Sequence, residues 1–108
     1  MNVVPLCKVP SRAEAEKILK ELTGHGMVSL SKHARERMAE RKVNFQQVLT
    51  CLAKGKVTEE PVLANKGGSE AGYEITVERL VAGERLRVGV CLRFTQSAKV
   101  ITVIKVKD

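Results

Sequence analysis

Aromatic side chains are nearly missing from this chain, which has two phenylalanines, one tyrosine and no tryptophan. Proteins that read single-stranded bases stack them on aromatic side chains, and Phe45, Tyr73 and Phe94 are too few and too scattered for that. Long uncharged apolar runs are also missing, so we expect neither a membrane span nor a secretory signal. These absences predict a cytoplasmic globular protein. They also predict that any contact with a nucleic acid is mostly with the sugar-phosphate backbone of the nucleic acid.

Cysteine and histidine are equally sparse. Cys7, Cys51 and Cys91 are odd in number, far apart and without a CxxC pair, so neither a disulfide framework nor a zinc site is indicated. We expect the three cysteines to be small core residues. Cys51, however, is predicted at the flank of its helix, outside the middle of the apolar stripe. With two histidines and no DxD, HxxxE or HxH spacing, we expect no metal and no other cofactor.

Positive charge is concentrated in the first half of the chain. The formal net charge is +7, and residues 1–58 carry eleven Lys and Arg against five Glu, whereas residues 59–108 carry eight against seven acidic residues. A clustered cationic face gains affinity for a polyanion through counterion release, and it also speeds encounter. The pattern favours a polyanion such as RNA as the partner.

The hydrophobic pattern predicts helices first and strands second. Helices are predicted over residues 12–22, from an N-cap at Ser31 to about Lys42, and from a cap at Asn44 to Gly55, with a small strand or link at 27–30. Extended segments follow at 56–58 and 61–64, then a connector at 65–72 and strands over 73–78, 85–94 and 100–106. We expect a single α+β domain over residues 1–108, with two or three N-terminal helices packed on a four- to five-stranded antiparallel sheet. Residues 1–26 would form a helical extension and residues 27–108 the core.

The best candidate for chemistry is a basic stripe on the predicted second helix. At about 100° per residue, Arg37 lies one turn below His33 and Arg41 two turns below, so all three can line one edge. An N-cap at Ser31 places His33 in the first turn, where unpaired N–H groups and the helix dipole favour phosphate and disfavour imidazolium. A neutral His33 could accept the proton of an RNA 2′-hydroxyl, while Arg37 and Arg41 stabilise the charged transition state. A second role for His33, or Tyr73, could supply the acid for the leaving oxygen.

Each basic residue could instead be an ordinary surface residue. The second helix can be a solvated surface on which Glu36 and Glu40 pair with neighbouring Lys and Arg side chains. The residues that could track a phosphate backbone are Lys32, Arg35, Arg41, Arg85, Arg87 and Arg93. The last three could equally form the solvent face of a half-buried strand. His25, between two glycines, is interpreted as a loop residue.

A family resemblance rests on His33-Ala34-Arg35-Glu36-Arg37-Met38, on Arg41, on the amphipathic helix that ends at Gly55-Lys56-Val57, and on Val100-Ile101-Thr102-Val103. Over about residues 28–106 this pattern resembles the small bacterial and phage family called domain of unknown function 4258. That family has been grouped with ribonuclease toxins of the barnase, colicin and RelE type. The resemblance implies an RNase-like fold, with His33 and Arg37 in the polar signature and Thr102 as a third member.

The residues and the resemblance together predict a small metal-independent ribonuclease of toxin type. It would cleave RNA through a 2′,3′-cyclic phosphate, with Thr102 orienting the scissile phosphate, and an acidic antitoxin or immunity protein would cover its basic face. The alternative is a non-catalytic phage or mobile-element binding module that uses the same surface on protein or nucleic acid. Residues 10–23 lie outside the shared motif and are candidates for binding a partner.

Overall fold

The computed structural model describes residues 9–64, 72–81, 83–93 and 97–106. Its helices are α1 (Arg12–Gly24), α2 (Lys32–Arg41) and α3 (Phe45–Lys54), and its strands are β1 (Val28–Leu30), β2 (Lys56–Val57), β3 (Val62–Ala64), β4 (Gly72–Val81), β5 (Glu84–Arg93) and β6 (Ala98–Val106). Cys7, Phe94 and most of the predicted connector lie outside the described residues.

Two helices begin with reciprocal caps. The Ser11 hydroxyl accepts the N–H of Glu14, and the Glu14 carboxylate accepts the N–H of Ser11. Asn44 and Gln47 make the same pair of bonds at the start of α3. Each pair satisfies two donors that the first turn would otherwise leave unpaired, which is why both helices begin at these residues.

The first turn of α2 is fastened to the sheet as well as capped. Ser31 Oγ accepts the N–H of Ala34 at 3.0 Å and donates to the carbonyl of Ile101 in β6 at 3.2 Å. Lys42 caps the end of the helix: its backbone is left-handed with a φ of 55°, and its N–H donates to the carbonyls of Met38 and Ala39. The predicted N-cap at Ser31 is therefore confirmed.

Six strands of the described residues form one sheet in the order β1-β6-β5-β4-β2, with β3 also paired to β4. The strands β4, β5 and β6 form an antiparallel meander, as expected. At the edge, β1 runs parallel to β6, with Val28 opposite Ala98 and Leu30 opposite Val100. The α+β class is confirmed, while the sheet is larger than expected because β1 joins it through a partner 70 residues away.

The three helices cover one face of the sheet. Their buried residues belong to a single hydrophobic cluster with the sheet residues Ile75, Val77, Leu86, Val88, Val90, Leu92, Val100 and Val103. The opposite face, here called the open face, carries the alternate residues of the same strands, among them Glu78, Arg87 and Ile104. From α1, the cluster includes Ala15, Leu19 and Leu22, so this helix contributes directly to the core.

A β-bulge in β6 decides which of its residues face the helices. Val103 lies opposite Val88 and Val100 lies opposite Val90, so a three-residue step in β6 matches a two-residue step in β5. Thr102 lies opposite Gly89, and a methyl group at Gly89 would come within 2.9 Å of Thr102 Cγ2. Because the side chains of opposed residues share a face, Thr102 is on the open face.

Candidate functional site

The exposed edge of α2 brings His33 and Arg37 together. Arg37 Nε donates to His33 Nε2 across 3.4 Å, a long hydrogen bond. A guanidinium can only donate, so His33 Nε2 acts as the acceptor and carries a lone pair in this arrangement. His33 is exposed, and its ring can meet a ligand from solution.

Glu40 joins this pair one turn further along. Arg37 Nη1 lies 2.6 Å from Glu40 Oε1 and 3.2 Å from Glu40 Oε2. Arg41 Nη1 lies 3.9 Å from the same oxygen, Glu40 Oε1. We call His33, Arg37, Glu40 and Arg41 the α2 flank. The sequence predicted Glu40 only as a surface ion-pair partner. Its three-residue spacing from Arg37 on a helix is the feature that indicates their contact.

The Arg37–Glu40 ion pair is too exposed to hold the guanidinium tightly. The two side chains are 39% and 55% exposed, respectively. Exposed pairs at this spacing stabilise a helix by about 0.3–0.5 kcal/mol, which is about a factor of two in an equilibrium constant. A phosphate that approaches α2 therefore meets little resistance from Glu40, and Arg37 can turn to the new anion.

Arg41 lies closer to the core than the sequence stripe indicates. Eight residues at about 100° each place it about 80° around the helix from His33, next to the buried Ala34. Its side chain is 33% exposed, and Nη1 is buried without a hydrogen-bond partner among the described residues. Arg41 thus contributes mainly positive charge behind Glu40, and less a hydrogen-bond donor that a ligand from solution can reach.

Lys32 and Arg35 point away from the α2 flank. Arg35 lies about 200° around the helix from His33, and Lys32 about 100° away on the side opposite the core. Both side chains are exposed. The basic residues of α2 therefore do not form one patch, because its buried face separates Arg35 from Arg37.

Thr102 and Tyr73 do not join the flank. Thr102 is on the open face, whereas α2 packs over β6 on the helix-covered face. Tyr73 is only 3% exposed and lies opposite Leu92. The sheet separates the predicted third member from His33, and the candidate acid is enclosed in the interior.

The three strand arginines also lie on the open face. Arg87 Nε donates to Glu78 Oε2 at 3.1 Å, and Arg85 Nη1 lies 3.7 Å from Glu78 Oε1. Arg93 Nε donates to Ser97 Oγ at 3.0 Å. Glu78 is held between two arginines, and its side chain is 16% exposed. These ion pairs are typical of a network that stabilises the sheet. The six predicted RNA-contacting residues are therefore divided between two sides of the molecule.

Cys51 is enclosed between α3 and the sheet. Its Sγ lies 3.8 Å from the carbonyl oxygen of Val77 and 3.9 Å from that of Leu86. Burial raises the pKa of the Cys51 thiol to about 12, against a smaller lowering effect of Arg79. Cys51 is fully buried although it lies at the flank of the apolar stripe, because α3 is covered by α1 on one side and by the sheet on the other. The expected role as a small core residue is confirmed for Cys51.

Across the described residues, no helix is long and apolar enough to cross a membrane. Likewise, no three His, Cys, Asp or Glu side chains in the described part of the chain are grouped so that they could hold a metal ion. His25, the second histidine, caps the end of α1, where its Nδ1 donates to the Glu21 carbonyl at 2.8 Å.

Comparison with known proteins gives one assignment. A family model described as domain of unknown function, DUF4258, matches residues 30–105. No curated protein and no solved structure matches the chain. The matched residues run from the end of β1 to β6 and include the whole α2 flank, while α1 lies outside them. The chain belongs to the DUF4258 family.

Proposed function

We propose that this member of the DUF4258 family is a small metal-independent ribonuclease that binds RNA and cleaves it at the α2 flank. The observation that carries the proposal is the contact between Arg37 and His33 Nε2, with Glu40 on the far side of the same guanidinium. A proton acceptor, a planar cation and a carboxylate thus lie along one exposed helix edge. The formal charge of +7 supports an anionic substrate.

The proposed reaction uses the lone pair on His33 Nε2. This nitrogen takes the proton of the 2′-hydroxyl, the 2′ oxygen attacks phosphorus, and the bond from phosphorus to the 5′ oxygen breaks. Water protonates the leaving oxygen because the site is open to solution. The products are a 2′,3′-cyclic phosphate and a free 5′-hydroxyl. Arg37 turns from its exposed pair with Glu40 and donates to the phosphoryl oxygens as their charge grows.

The proposal also implies a protein partner that binds the α2 flank. A protein that inhibits this enzyme, such as an antitoxin or immunity protein, would be acidic and would cover the α2 flank. Cytoplasmic location belongs to the same proposal, since the RNA targets of such toxins are there.

The second candidate is a non-catalytic binding module that uses the basic surface on protein or nucleic acid. The exposure of His33 favours it, because catalytic sites usually exclude water around the reacting atoms.

The test is cleavage of total RNA by the purified protein in EDTA. His33→Ala should lower the rate by about 10²–10⁴-fold, which is the usual contribution of a positioned base. His25→Ala is the matched control, since it removes the other exposed histidine, and it should cleave like the unmodified protein. Glu40→Gln should leave cleavage and RNA binding the same or increase both, because it removes only a weak competing partner of Arg37.

Two results would contradict the proposal. If His33→Ala cleaves at the unmodified rate, the proposed base is wrong. If the unmodified protein binds RNA or an acidic protein but never produces a 2′,3′-cyclic phosphate end, the binding module is correct.

A further inference from the structure

A second basic site lies between α1 and α3. These helices, together with the start of β2, enclose an open cleft of about 460 Å³. Four lysines line it, two from α1 and two that flank the glycine after α3: Lys17, Lys20, Lys54 and Lys56. The remaining lining residues include Ala13, Ala53 and Gly55, which are small enough to let a chain approach the backbone.

The side chains of the four lysines are available for an external anion. All four residues are exposed, and none of their ammonium groups has an ion pair or hydrogen bond with another described residue, although the Lys54 carbonyl accepts from Arg79 Nη1 at 3.0 Å. Other basic groups are engaged, as in the Arg12–Glu60 pair at 2.9 Å. Glu16 is the one carboxylate among the lining residues, and its Oε2 accepts the N–H of Val57 at 3.0 Å, which fastens α1 to β2. The cleft therefore carries a clear excess of positive charge.

This cleft is separate from the α2 flank. In the sheet order, β6 and β2 are separated by β5 and β4, which is about 14 Å at the usual strand spacing. The flank belongs to α2, which packs over β6, whereas α1 packs against α3 and β2. One ligand that fills both sites must be extended, and a single phosphate cannot reach both.

We propose that the α1–α3 cleft binds the backbone phosphates of single-stranded RNA. This assignment rests on the proposed function only for the choice of RNA as the ligand, and it does not require that the protein cleaves RNA. Lysine ammonium groups are compact, mobile charges that suit phosphates at variable positions, whereas a site for one rigid carboxylate or phosphate pair would use arginine. The lining contains no aromatic side chain on which a base could stack, so the contacts are to phosphates, and these carry no sequence information.

The test measures binding of a short uridine oligonucleotide to the full chain carrying His33→Ala, at several salt concentrations. Each phosphate contact contributes about 0.7 to the slope of log affinity against log salt for single strands, or about fivefold in affinity between 1 M and 0.1 M salt. Lys20→Gln should therefore weaken binding about fivefold at 0.1 M salt. The double variant Lys20→Gln with Lys54→Gln should weaken it about 25-fold and reduce the slope by about 1.4.

Lys42→Gln is the matched control, because it removes an exposed lysine outside the cleft. It should change affinity by less than about twofold, and melting curves should be the same for all variants. If the cleft variants bind like Lys42→Gln, the cleft is not the RNA site, even if RNA is still cleaved. If polyglutamate binding depends on the cleft lysines and oligonucleotide binding does not, the ligand is an acidic protein and the proposal is wrong. Loss of cleavage in the His33 variant with cleft binding intact would leave both proposals standing.

Discussion

Gly55, between α3 and β2, should not tolerate even one methyl group. Its backbone is extended with a φ of −78°, which alanine also adopts, so conformation is not the obstacle. The obstacle is space. A methyl group there would collide with the carbonyl oxygen of Cys51, and it would lie 2.6 Å from Val77 Cγ1 and 3.0 Å from the carbonyl oxygen of Glu78. Two of these three atoms are backbone atoms of packed elements and cannot rotate away.

The expected cost follows from this crowding. Overpacking a core position by one carbon costs about 1–3 kcal/mol, and Gly55→Ala should lie at the upper end because α3 must move away from β4. For a domain near 100 residues, each kcal/mol shifts Tm by about 4–8 °C, so we expect a decrease of about 10–20 °C.

Gly24→Ala is the comparison variant. No atom lies within 4 Å of a methyl group at Gly24, the last residue of α1, and alanine is the better helix former. Its Tm should stay equal or rise by a few degrees. Thermal unfolding followed by circular dichroism measures both variants. A Gly55→Ala protein that melts with the unmodified chain would refute the packing argument.

Two further predictions concern the core and the start of α2. Since the folded-state pKa of Cys51 is raised from 9.0 to about 12, its contribution to stability is complete below pH 9 and is lost as pH rises towards 12. The urea midpoint of the unmodified protein should therefore fall towards that of Cys51→Ala over this interval, and an unchanged difference between the two would contradict the burial argument. Ser31→Ala removes both the cap of α2 and its bond to Ile101, so it should lower stability by about 1–2 kcal/mol, while Ser29→Ala in β1 should cost almost nothing. Equal urea midpoints for these two serine variants would show that the α2 cap is not stabilising.

Local features of the fold could be predicted from the sequence. Ser31 and Asn44 mark helix starts because a capping side chain bonds to an N–H only three residues ahead. The alternation of Leu86, Val88 and Val90 places the core face of β5, since side chains in a regular strand alternate strictly.

Thr102 shows where such reasoning fails. Strict alternation puts Val100 and Thr102 on the same face, and the one-residue bulge at Ile101 moves Thr102 to the other. The bulge depends on pairing with β5, and the hydrophobic pattern of β6 does not mark it because Val100 to Ile104 are nearly all apolar. The α1–α3 cleft was also not predicted, because its lysines come from segments more than 30 residues apart that only packing brings together.

The parallel pairing of β1 with β6 has a consequence for synthesis of the protein. Ser31 N–H donates to the Val100 carbonyl and Ala98 N–H to the Met27 carbonyl, so the anchor of His33 is a segment translated about 70 residues later. Closing so long a loop is slow compared with forming α2 itself. A nascent chain on the ribosome therefore lacks the sheet edge that orients α2 until β6 has been translated. The bonds from Ser31 to Val100 and Ile101 can form only after that point, so α2 takes its fixed place on the sheet late, even though the contacts within the α2 flank all lie on one helix.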